Sequence, residues 1–96
     1  MDRFQIAHVH EQDMALIIVP LDDAFRHRSA LEQLRVRAAL QASATIAGLD
    51  GSVVPVWDAG DGRMAFLAPL DCHPFLSGID LAFVFDHING ELACNG

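Results

Sequence analysis

Apolar residues are interspersed with polar ones from Phe4 to Val9, run unbroken from Met14 to Leu21, and recur with a period near 3.6 beyond that. The first two patterns predict two strands, Arg3 to Val9 and Met14 to Val19, around a polar turn at His10-Glu11-Gln12-Asp13. A two- or four-residue loop pairs Val9 with Met14 and His8 with Ala15. One face then carries Phe4, Ile6, His8, Ala15, Ile17 and Val19. Gln5, Ala7, Val9, Met14, Leu16 and Ile18 share the other face. The second strand is thus apolar on both sides, which predicts a central strand covered above and below.

Pro20 closes that strand, and the one long helix follows. Asp22 and Asp23 suit a helix N-terminus, whereas Ser29-Ala30-Leu31-Glu32 is a capping box. Two starts therefore stay open, one near Asp23 and one at Ala30. Residues 30–47 are helical under either, and Gly48 is a natural left-handed stop. At about 100° per residue, Leu31, Leu34, Ala38, Ala42, Thr45 and Leu49 form one continuous stripe. Its small middle residues predict that this stripe meets the sheet. Val36, Leu40 and Ala47 lie opposite, joined by Phe25 if the helix starts early. A helix with one wet face would be polar there, so the second apolar stripe predicts a contact with another molecule.

Beyond Gly51, SVVPVWD and RMAFLAP predict a second hairpin through Ala59-Gly60-Asp61-Gly62. Pro55 lacks an N–H and predicts an edge strand or a donor position turned to solvent. Residues 70–78 are a loop or a single helical turn. LAFVFDHI, Asn89-Gly90 and ELACN predict a third hairpin with a type I′ turn, with Phe83, Phe85, Leu92 and Cys94 inward. The expected fold is a single α+β domain over residues 1–96. It has a mainly antiparallel sheet of about six strands, ββ-α-ββ-(α)-ββ, and one long helix packed on a face.

Composition sharpens this picture. Apolar residues make up 52 % of the 96, and the seven glycines raise that to about 59 %, against roughly 45–50 % for a typical soluble domain. One small domain has little interior in which to hide the excess, which points to self-association or a docking partner. The longest apolar run, Met14 to Leu21, is far short of the roughly 20 residues of a membrane span, and Met1-Asp2-Arg3 lacks a cationic lead. A soluble, cytoplasmic protein with no membrane association is expected. Cys72 and Cys94 match no metal or redox spacing and read as free thiols.

The net charge is −7, which argues against nucleic-acid binding. Residues 24–49 hold Arg26, Arg28, Arg35 and Arg37 against Glu32, a net of +3, and leave −10 for the remainder. Lysine is absent, so every fixed side-chain cation is a guanidinium suited to paired carboxylate contacts.

The candidate chemistry is thin. His8 and His10 form an H-x-H pair, but a metal site needs a third ligand, for which Asp13 is a weak candidate. The two share a face if the strand continues past His10 and do not if the turn starts there, and the stretch reads as a strand entering a turn. Asp71-Cys72-His73-Pro74 holds the residue types of a cysteine nucleophile with its base, yet neighbours in an extended segment project oppositely. Asp58-Ala59-Gly60-Asp61-Gly62 lacks the alternate oxygen ligands and closing glutamate of a calcium loop. No motif is specific enough to point to a family, and neither a catalytic residue nor a cofactor is expected.

The leading expectation is a small non-enzymatic interaction domain. It would act as a homodimer or with another protein, using Phe25, Val36 and Leu40 rimmed by Arg26 and Arg37. The alternative is a small-molecule-binding domain with an apolar pocket between helix and sheet at Trp57, His73 and Phe75.

Overall fold

The computed structural model describes residues 2–11 and 13–94. Five strands, β1 (Asp2–Glu11), β2 (Met14–Pro20), β3 (Ser52–Asp58), β4 (Met64–Phe66) and β5 (Gly90–Cys94), form one sheet in the order β4-β3-β2-β1-β5. The long helix α1 (Ala30–Ile46) links β2 to β3. Two short helices, α2 (His73–Leu76) and α3 (Leu81–Asp86), fall between β4 and β5. The class is α+β, but the sheet is mixed: β2 and β3 run parallel, and the other three pairings are antiparallel. Parallel neighbours need a crossover long enough to return the chain, and α1 supplies it.

β2 sits at the centre, and its side chains alternate between two cores. Ile17 and Val19 pack with Ile6, Val53, Leu92 and Leu40 beneath α1. Leu16 and Ile18 pack on the other face with Val54, Val56, Leu76 and Val84, beneath the segment that carries α2 and α3. The face assignment read from the alternation holds for both strands of the first hairpin. Its register differs: β1 continues to Glu11, which pairs with Met14, so His8 lies opposite Ile17 and His10 opposite Ala15. The tight connection is feasible because Asp13 takes a left-handed conformation, φ 67°, which aspartate tolerates better than most residues.

Both candidate helix starts are used. Asp22 caps a short 3-10 turn, Asp23–His27, by accepting from the Ala24 amide. Ser29 then caps α1 by accepting from the Glu32 amide, and Glu32 pairs with Arg28 at 3.6 Å.

The third predicted hairpin is not formed. Residues 81–86 are helical because Asp80 caps them, accepting from the Phe83 amide at 2.9 Å. Leu81, Val84 and Ile88, spaced three and four apart, reach the second core, while Phe85 is exposed. β5 pairs with β1 instead, Phe4 opposite Leu92. Pro55 is not on an edge strand either, since β3 lies between β2 and β4. Its missing donor faces the point where β4 has ended, and its carbonyl accepts from the Leu67 amide at 3.1 Å.

Two amide side chains complete strand edges that have run out of partner. β5 pairs with β1 only through Ile6; beyond it Asn89 accepts from the His8 amide at 2.8 Å and donates to the His8 carbonyl at 2.9 Å. β4 pairs with β3 only from Val56 onward. There Gln41 of α1 accepts from the Val53 amide at 2.9 Å and donates to the Gly51 carbonyl at 3.1 Å, while Arg37 donates to the Val53 carbonyl. A carboxamide carries a donor and an acceptor as a peptide group does, which is why Asn and Gln serve here. Asn89→Ala is expected to cost about 1–2 kcal/mol and to speed hydrogen exchange at the His8 amide more than at Ile17. Unchanged exchange at His8 would show that the bridge is not formed in solution.

Candidate functional site

His8 and His10 share a face, because β1 runs past His10 to Glu11. The two imidazole rings lie 5.1 Å apart. The Nε2 of His8, however, is hydrogen-bonded to the Asp50 carbonyl at 2.7 Å. Asp13 sits exposed in the turn, and among the described residues no three histidine, cysteine, aspartate or glutamate side chains converge as a metal site requires.

The Asp71-Cys72-His73 run does not assemble a nucleophile. Cys72 is buried, and that burial, followed by the charge of Asp71, pushes its thiol up from its ordinary pKa, towards the unreactive protonated form. The His73 Nε2 hydrogen-bonds the Ala68 carbonyl at 3.1 Å. Cys72 and Cys94 are free thiols in different cores, one on each side of the sheet.

Trp57, His73 and Phe75 do not wall one pocket. Strand alternation puts Trp57 on the α1 side, where it meets the Phe25 ring edge-on at 4.8 Å. His73 packs against Phe66 and Phe75 against Phe83 on the far side. The sheet stands between them.

The helix is turned relative to the expected orientation. Val36, Leu40 and Ala44 face the sheet, with Leu40 1 % and Ala44 0 % exposed. Phe25 is buried as well, so Phe25 and Leu40 belong to the interior and offer no exposed patch to a second protein. Arg37 is bound to β3, and Arg26 is exposed beside its own neighbour His27, whose Nε2 accepts from it at 3.1 Å. The stripe left outside is the other one: Leu31 is 58 % and Leu34 53 % exposed, followed along the same face by exposed Ala38, Ala42 and Thr45. The physical reason is the flank. With Leu40 inward, Gln33, Arg37 and Gln41 reach the backbone carbonyls of Phe25, Val53 and Gly51; turned the other way, those polar groups would lose their partners.

Two concave features flank α1. A groove of about 250 Å³ lies beside Leu34 and Arg37, walled by Leu67, Ala68 and Pro69. On the opposite flank a cleft of about 490 Å³ opens between α1, the 3-10 turn and the β1/β5 end of the sheet. Phe4, Leu21, Phe25, Val36, Leu40 and Cys94 form its apolar wall, and Asp2, Asp22, Arg28 and Arg35 stand around it. The volume is in the range of small-molecule sites. None of Trp57, His73 and Phe75 lines the cleft. Its walls come from four separated parts of the chain, so no local pattern announces it.

No known protein family, curated protein or solved structure matches this chain.

Proposed function

We propose that the protein is a non-enzymatic interaction domain that pairs with a second copy of itself through the outer face of α1. The observation that carries this reading is the exposed apolar row from Leu31 through Leu34, Ala38 and Ala42 to Thr45. The row is self-complementary. It is bulky at Leu31 and Leu34 and small at Ala38 and Ala42, with exposed Ile46 at the end of the helix, so an antiparallel crossing at Ala38 sets Leu34 against Ala42 of the other copy. A two-fold contact requires this kind of match. The C-terminal half of the helix, residues 38–46, carries no charge, so neither Glu32 nor Arg35 meets a like charge across the contact. The groove at Leu67–Pro69 extends the apolar surface beyond the helix.

Among the described residues no helix is long and apolar enough to cross a membrane. Two free buried thiols fit a reducing compartment such as the cytoplasm.

Light scattering should give the mass of a dimer at about 100 μM, a concentration that populates contacts of micromolar Kd. Leu34→Arg should give a monomer with an unchanged circular dichroism spectrum. A wild-type monomer, or a Leu34→Arg dimer, overturns the proposal.

A further inference from the structure

We infer that the cleft between α1 and the β1/β5 end of the sheet binds a small zwitterion with an apolar body, an apolar α-amino acid being the simplest. The inference does not rest on the pairing proposed above, because the cleft lies on the flank of α1 away from the Leu34 groove. Its wall is hydrocarbon and aromatic, with Phe4 and Phe25 among the lining residues. The charges around it are not equivalent. Arg28 is paired with Glu32 at 3.6 Å, and Asp22 is occupied as a helix cap through the Ala24 amide at 3.1 Å. Arg35 and Asp2 make no ion pair or side-chain hydrogen bond among the described residues. One cation and one anion therefore border an apolar hollow with their pairing capacity unspent.

Each simpler ligand leaves part of this set unmatched. A hydrocarbon desolvates the rim charges without replacing their water. A monocarboxylate meets Arg35 but also Asp2 and Asp22, in a chain of net charge −7. An amine meets the aspartates but also two guanidinium groups. A ligand with a carboxylate for Arg35, an ammonium for Asp2 and an apolar side chain for the wall matches all three in charge and polarity. A carboxylate held by a guanidinium is among the stronger charge-assisted contacts.

Trp57 supplies a reporter, being the only tryptophan in the chain and in edge-on contact with Phe25 of the cleft wall. The experiment is a calorimetric titration of the whole protein, with Trp57 emission followed in parallel. The probes are L-phenylalanine and L-leucine, against N-acetyl-phenylalanine, which lacks the cation, and phenethylamine, which lacks the carboxylate. Saturable binding of the two amino acids is expected, weaker by at least about tenfold for each single-charge analogue. Arg35→Gln and Asp2→Asn should each weaken phenylalanine binding to a similar extent with the melting temperature unchanged, since both side chains are exposed. The inference is overturned by absence of heat and emission change up to about 10 mM, a ceiling beyond which a Kd reflects little specific recognition. It is equally overturned if either analogue binds as tightly as phenylalanine, or if Arg35→Gln binds as wild type does.

Discussion

Leu40→Ala is expected to destabilise the folded chain by about 2–5 kcal/mol, the range for truncating a fully buried leucine. Leu40 is 1 % exposed and touches the core that contains Ile6, Ile17, Val19 and Leu92, so its removal leaves a hole under α1. Leu34, six residues earlier on the same helix, is 53 % exposed. Leu34→Ala should therefore change the stability of a single copy by no more than about 0.5 kcal/mol. Urea denaturation of both variants at low protein concentration, where association contributes nothing, reads the difference directly. The comparison also fixes the rotation of the helix. If Leu34→Ala proved the costlier change, the Leu31/Leu34 stripe would be the one against the sheet.

Gly51→Ala should cost about 3 kcal/mol or more, combining an unfavourable backbone conformation with a forced contact. Gly51 has φ +129°, and a Cβ there would stand 2.5 Å from the carbonyl oxygen of Ala15 and 2.8 Å from its carbon. Neither atom can yield by rotating a side chain, because both are backbone of β2, next to the first rung of the parallel β2–β3 ladder. Gly48 is the control. Its φ is +79°, but nothing lies within 4 Å of an added Cβ. Gly48→Ala should thus cost only about 1–2 kcal/mol, the strain of a left-handed residue alone. Equal costs at the two glycines, measured by the same denaturation, would mean that β3 does not approach β2 as closely as described.

Both predictions turn on how α1 and β3 dock, which is where reading the chain by pattern reached its limit. The unbroken apolar run of β2 announced a strand with two covered faces, and both cores are present. Ser29 and Asp22 each announced a helix start, and each caps one. Leu81 to Phe85, an apolar run of five, suits a strand or a helix about equally. What separates them is Asp80, a cap that a hairpin has no use for, and the fact that β5 finds its partner in β1, some ninety residues away. The orientation of α1 was open for a similar reason. Both of its stripes are apolar, and hydrophobicity by itself has no preference between them.

The candidate sites follow the same division. His8 and His10 share a face, as an uninterrupted strand requires, but the Asp50 carbonyl that occupies His8 comes from another part of the chain. Phe25, Val36 and Leu40 were legible as an apolar set, and they do act together, as the wall of a cleft and not as an exposed patch. Trp57 is parted from His73 and Phe75 because β3 lies between two cores.

Local order was thus written in the chain: the apolar patterning of β1, β2 and β3, the caps at Asp22 and Ser29, and the extent of α1 are short-range consequences of backbone hydrogen bonding and side-chain period. Tertiary structure alone decided which stripe of α1 is inside, which strand β5 joins and where the cleft lies. Those choices depend on polar groups finding partners on other elements, Gln41 and Arg37 on β3 and Asn89 on β1, and neither the side-chain period nor a helix cap encodes such a bond.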